Sequence, residues 1–257
     1  MENKKILPPF LDLLKETWSD MEKSFSRLAK ISSLIIVAAL ILMIPVSIVL
    51  AANINNIISN AAAFLIILII AVAFVAVCLV VNLALAHSVA TGEKFWPAVK
   101  FGFKNLKSIA FATVIMSFIS GGLSIMGILP GLASVIWFMF VTFIIVSGDS
   151  KGLAAITKSK EYVRGYGWSI FGKMLLLCLV ILPIFIILSI PGMVNENLYT
   201  ISSAISRIIQ IVVVTPFSVL FIYRLFKELK ERKPGLEGFS VTYIKGCHKN
   251  CPRGGNG

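Results

Sequence analysis

Charge is what the long apolar stretches of this sequence lack. Twelve Asp and Glu are present, and all lie outside those stretches. That excludes a proton relay or cation site built on intramembrane carboxylates. Histidine is scarce too, with only His87 and His248. A Ser-His-Asp or Cys-His catalytic site would need one of them beside a nucleophile, and His87, at the end of an apolar run, reads as an interfacial residue. The four cysteines make no disulfide framework. Cys78 and Cys178 sit in apolar runs as small buried hydrophobes, while Cys247 and Cys251 lie in the tail. With His248 the tail offers three soft ligands, but structural zinc takes four, usually as two separated pairs. Cys247, His248 and Cys251 are thus a weak metal candidate, and no cofactor is expected. A Gly-rich phosphate loop and an HExxH helix are also missing.

What is present is apolar. The chain has 257 residues, of which 58% are hydrophobic and 14% charged, against about 25% charged in soluble domains. This places it in the membrane class. The net charge of +12 then bears on membrane orientation rather than on nucleic acid, which is not an expected partner. Six runs approach the roughly 20 apolar residues that span a bilayer: 31–52, 61–86, 108–129, 132–146, 168–190 and 201–223. Thirty patterned residues precede the first run, so it reads as a retained span rather than a signal peptide. Twenty-three of the 24 Lys and Arg fall in residues 1–30, 87–107, 148–173 and 224–257. All of these lie on one side of a six-span topology, and the positive-inside rule makes that side cytoplasmic. The expected fold is all-α integral membrane: six transmembrane helices arranged as three hairpins, each preceded by a basic amphipathic interfacial helix. The expected division is an amphipathic helix in 1–30, a six-span domain in 31–223, and a basic cytoplasmic tail in 224–257, disordered at its end.

The three amphipathic segments carry the repeat. In 10–30, Phe10, Leu11, Leu14, Trp18, Met21, Phe25 and Leu28 share an arc, with Leu13 as the misfit. In 95–108, Phe95, Val99, Phe103 and Leu106 share a face with Trp96, opposite Lys100, Lys104 and Lys107, and Phe101 is out of register. In 152–164, Leu153, Ile156 and Val163 share an arc with Ala155, Ser159 and Tyr162. Thr157, Lys158, Glu161 and Arg164 oppose that arc, and Lys160 intrudes on its edge, where it can snorkel.

After the third segment, "RGYGW" turns the chain into the fifth span. Gly165 and Gly167 break the helix, and Tyr166 and Trp168 suit the headgroup level. The general reading of this stretch is anchoring in the bilayer. The sharper one is an anionic lipid or headgroup site made by Lys158, Lys160, Arg164 and Lys173 with Trp168. Inside the spans, Arg207 reads as a snorkelling anchor near the outer interface or a contact facing the bundle. Asn82 and Gln210, with kinks at Pro45, Pro183 and Pro216, leave room for a weakly polar interior, although such residues more often pack helices together. Gly121, Gly122, Gly127 and Gly131 are expected to let the third-to-fourth turn pack closely.

The stretches "GILPG", "GLAAITKSKEYVRGYGWSIFGKMLLL" and "TPFSVLFIYRLFKELK" resemble bacterial six-helix proteins related to the membrane domain of glycerophosphoryl diester phosphodiesterase. The resemblance covers about 10–233, and its pointed motif is 154–171. It implies a bacterial cytoplasmic membrane protein, multi-pass, with both termini inside. In the named enzyme, hydrolysis belongs to a separate soluble barrel, and the roughly thirty residues after Tyr223 are too few for one. The resemblance therefore carries no catalytic residues. The chain is expected to be a non-catalytic envelope scaffold or lipid-interacting factor whose partners are the bilayer and its anionic lipids, with a membrane protein or a second copy as a further possible partner. The alternatives are a transporter or channel for a small or amphiphilic solute and, behind it, a lipid phosphodiester enzyme.

Overall fold

The structure, a computed structural model, describes residues 7–52, 61–194 and 196–233. The connection at 53–60 and the Cys247, His248 and Cys251 tail lie outside the described residues. Among the described residues ten α-helices follow in order: α1 Phe10–Ala52, α2 Ala61–Thr91, α3 Phe95–Lys104, α4 Leu106–Ile125, α5 Ile128–Phe138, α6 Val141–Val146, α7 Leu153–Val163, α8 Gly167–Val194, α9 Glu196–Ile209 and α10 Thr215–Arg232. A π-helical turn, Gln210–Val214, joins the last two. No strand occurs among the described residues.

Among the described residues, five helices are long and apolar enough to cross a membrane, and the apolar stretch Pro130–Val146 is shorter. The placement of apolar side chains agrees with a multi-pass membrane protein. Leu40, Met43, Phe64, Ile69, Phe118, Leu179 and Ile187 are exposed on the outer surfaces of the long helices, an arrangement that water would oppose. The densest packing is instead near the basic end. There Phe140, Ile144, Tyr162, Phe221 and Leu225 are fully buried in one continuous cluster.

Three features differ from the sequence reading. The first amphipathic segment and the first span form one uninterrupted helix, α1, about 65 Å long at 1.5 Å per residue. Nothing between Lys30 and Ile31 frees a backbone group or admits a left-handed residue, so the helix continues through the expected boundary. Its buried face is also rotated from the expected arc. Leu13, the apparent misfit, is only 2% exposed, whereas Leu11, Trp18 and Phe25 face outward, because α10 and α2 cover one side of the helix. Finally, α10 runs past Tyr223 to Arg232 and buries Leu225, Phe226 and Leu229, so residues 224–232 belong to the bundle and not to a tail.

Proline has local effects. Pro45 lies within an unbroken α1, and α8 passes through Pro183. Pro216 follows the π turn, and the Thr215 hydroxyl donates to the Gln210 carbonyl at 2.9 Å. Pro216 has no N–H to offer the preceding turn, and the wider π geometry absorbs that loss. Of the glycines expected to allow close packing in the third-to-fourth turn, Gly131 does so: a Cβ there would lie 2.5 Å from Ser124 Oγ. Gly121 and Gly122 have open space around them. Cys178 is exposed on α8 rather than buried.

Candidate functional site: a basic-rimmed groove between α5 and α8

The short helix α7 is where sequence and structure meet most closely. Ala155, Ile156, Ser159, Tyr162 and Val163 are buried, as their shared arc predicts, whereas Leu153, expected on the same arc, is exposed at the first turn of the helix. Tyr162 meets Phe226 of α10 edge to face at 5.6 Å, and Ser159 Oγ donates to the Trp137 carbonyl of α5 at 2.5 Å. Thus α7 packs under the bundle against α5, α6 and α10, with Leu153, Thr157, Lys160 and Arg164 on its outer face.

The chain leaves α7 through Arg164, Gly165 and Tyr166. Gly165 has φ +89°, a left-handed conformation that glycine adopts without steric cost. Lys233, just past the end of α10, holds this corner from below. Its Nζ donates to the carbonyls of Glu161 at 2.5 Å and Arg164 at 2.8 Å, and lies 5.7 Å from the centre of the Tyr166 ring. These are the carbonyls at the C-terminal end of α7, where cations are favoured. Burial pushes the Lys233 ammonium below its ordinary pKa; Glu161 opposes that shift and Arg164 adds to it.

Because Gly165 and Gly167 carry no side chains, a gap opens between α5 and the start of α8. It forms a groove of about 440 Å³ lined by Leu132, Ala133, Ile136 and Trp137 on one side and Trp168, Ser169 and Phe171 on the other. Trp168 is 84% exposed at its mouth. Lys160 Nζ stands 4.8 Å above the Trp137 ring, within cation–π reach. The Arg164 side chain projects into solvent at the corner and pairs loosely with Glu161 at 3.8 Å. The N-terminus of α8 opens on the same space, and its first amides favour an anion. The arrangement is an apolar slot with a cationic, aromatic rim.

The structure thus sets Lys160 over Trp137 and Trp168 at the mouth of one groove, with Arg164 exposed one residue before Gly165 of its lining, and leaves the other two members of the expected site apart from it. Lys158 is only 5% exposed. It sits at the edge of the buried arc, and its Nζ is enclosed with no hydrogen-bond partner among the described residues. Lys173 is half-buried further along α8 and does not line the groove. Trp137 and Phe171 were missed, because within apolar runs nothing marks an aromatic as wall rather than core.

Much of the surrounding basic collar is engaged in internal bracing. Arg224 bonds Asp20 at 2.6 Å and also Glu16, tying α10 to α1. Lys230 pairs with Asp149 at 3.3 Å, and Arg27 Nη1 donates to the Gly92 carbonyl at 2.6 Å. His87 is buried, stacked on Phe101 at 3.9 Å and 3.2 Å from Glu93, so Phe101 has a partner despite its register. Asn82, Arg207 and Gln210 are all exposed. They face away from the bundle, and Asn82 bonds the Cys78 carbonyl of its own helix. No cluster of three or more His, Cys, Asp or Glu suited to a metal occurs among the described residues. No protein-family model matches the chain, and no curated protein or solved structure matches it either.

Proposed function

We propose that this chain is a multi-pass protein of the bacterial cytoplasmic membrane that binds an anionic phospholipid and acts without catalysis, as a lipid-interacting factor or scaffold. The observation that carries this reading is the α5–α8 groove, whose apolar walls include Trp137 under Lys160 and the N-terminus of α8, with exposed Arg164 one residue before Gly165 of the lining. A phosphate would sit at the cationic rim and an acyl chain along Leu132, Ile136 and Phe171. Each Lys or Arg near an anionic surface contributes about 1 kcal/mol, so two such residues give measurable selectivity without a deep pocket.

The six-span topology belongs to this proposal. Helix α1 packs on α2, α4 on α5 and α8 on α9, which supports three hairpins. The stretch Pro130–Val146 has 17 residues, about 25 Å of helix against a hydrocarbon core of about 30 Å. It serves as a short fourth crossing that brings both ends to the cytoplasmic side. Kinship with the membrane domain of glycerophosphoryl diester phosphodiesterase rests on the segment 154–171 and is part of the same reading.

Native mass spectrometry of the protein released from vesicles of phosphatidylglycerol and phosphatidylcholine tests the binding. Retained phosphatidylglycerol that falls at least fivefold in the Lys160→Gln, Arg164→Gln variant supports the site. Equal retention of both lipids, unchanged by those substitutions, would show that the basic corner is only an anchor.

A further inference from the structure

A second groove, lined by different residues, carries the opposite charge. It has a volume of about 470 Å³ and is bounded by α1, the middle of α8 and the π turn. Its walls include Leu14, Met21, Val180, Ile184 and Val213, and Trp18, Glu22 and Phe25 stand on its α1 side. Glu22 is the one ionisable lining residue among the described residues, so the rim is acidic where that of the first groove is basic. Along α1, Glu22 lies between Asp20, bound to Arg224, and Arg27, bound to the Gly92 carbonyl. Both anchors belong to the polar end of the bundle, which puts the carboxylate at headgroup level and the apolar walls towards the middle of α8.

We propose that this groove holds a phospholipid with a primary-amine headgroup, its ammonium against Glu22 and an acyl chain between α1 and α8. The proposal rests on the multi-pass membrane reading and is independent of the anionic-lipid groove. Three observations select the headgroup. Trp18 Nε1 donates to Glu22 Oε1 at 2.7 Å, which fixes the carboxylate and leaves its second oxygen as an acceptor. Trp18 meets Phe217 edge to face at 6.2 Å, and Phe25 is exposed two turns along α1 on the same side. Aromatic faces beside a carboxylate attract an ammonium ion. A primary ammonium carries three N–H donors and can form a charge-assisted hydrogen bond with the carboxylate. A quaternary choline headgroup has no N–H and keeps only the cation–ring attraction. A phosphatidylglycerol headgroup has no cation and meets a negative charge.

Native mass spectrometry of the full chain against phosphatidylethanolamine, phosphatidylcholine and phosphatidylglycerol tests this. The expected result is retention of phosphatidylethanolamine over phosphatidylcholine by about tenfold, the scale of one hydrogen bond to a charged group. That preference should disappear in Glu22→Gln, an exposed substitution, and in Ile184→Trp, which fills the groove. The melting temperature of both variants should stay close to that of the wild type, which reports that they are folded whether or not any lipid occupies the α5–α8 groove. Equal retention of the ethanolamine and choline lipids overturns the proposal. So does an ethanolamine preference that survives both substitutions, or a second copy of the chain in place of lipid.

Discussion

Helices α3 and α7 look alike in sequence: short, basic and amphipathic, each leading into an apolar helix. They sit differently. Helix α3 buries only its small side, Ala98, Val99 and Gly102, and turns Trp96 and Phe103 outward. Helix α7 buries Tyr162, Ser159 and even Lys158, and shows the surroundings mostly polar side chains with Leu153. Amphipathicity therefore does not say what the apolar face meets. The size of the buried residues does. Small residues let α3 lie close against α2 while its large aromatics face outward, where the bilayer interface would meet them. A tyrosine in the middle of an arc needs a protein cavity, and α10 supplies one with Phe226.

The comparison is open to direct attack. Tyr162→Ala should have the largest effect. It removes a fully buried ring, and such truncations cost about 3–5 kcal/mol. Trp96→Ala, on the exposed face of α3, should stay within about 0.5 kcal/mol in micelles. Denaturant titrations of the two variants would show the gap, and similar losses would mean that α3 is as embedded as α7.

Next in size is Gly102→Ala. A Cβ there would lie 2.6 Å from the Val80 carbonyl oxygen, so α3 must shift off α2 at a cost of about 1–3 kcal/mol. Gly172→Ala, in open space on α8, should be neutral or slightly stabilising in the same thermal melts. Smaller again is the pair Lys160→Gln and Arg164→Gln. Each should weaken phosphatidylglycerol binding about fivefold while leaving the melting temperature in place, since both side chains are exposed.

The smallest effect concerns the Lys233 clasp. Its pKa is held down in the fold, first by desolvation. The folded state therefore disfavours the charged form, and that penalty is fully present below the folded pKa. It is relieved as pH rises from the folded value towards the ordinary lysine value of about 10.4. The stability of the wild type relative to Lys233→Met should increase slightly over that window. A difference that shrinks there would place the sign of the shift in error.

The sequence shows some of these features and hides others. The apolar runs and the three amphipathic segments are visible in residue periodicity, because hydrophobic spacing is a local property. The corner at Gly165 is visible for the same reason, since only glycine takes φ +89° easily. The continuity of α1 was legible in principle: no Gly or Pro stands between Phe10 and Pro45, whereas α2 ends beside Gly92 and α7 beside Gly165. The burial of Lys158 was not legible, because it depends on helices distant in sequence that close over α7. The groove itself was half visible. Its rim residues Lys160, Arg164 and Trp168 are adjacent in sequence, but its far wall, Leu132 to Trp137, arrives from another helix. The second groove was hidden more completely, since Glu22 and Ile184 are far apart in the chain.

The central claim, an anionic lipid seated between α5 and α8, is tested most directly by tryptophan fluorescence with brominated lipids. In a variant keeping Trp137 and Trp168, with Trp18→Phe and Trp96→Phe, dibrominated phosphatidylglycerol should quench far more strongly than dibrominated phosphatidylcholine at equal mole fraction. Adding Lys160→Gln and Arg164→Gln should remove the difference. Equal quenching by both lipids before those substitutions would contradict the account.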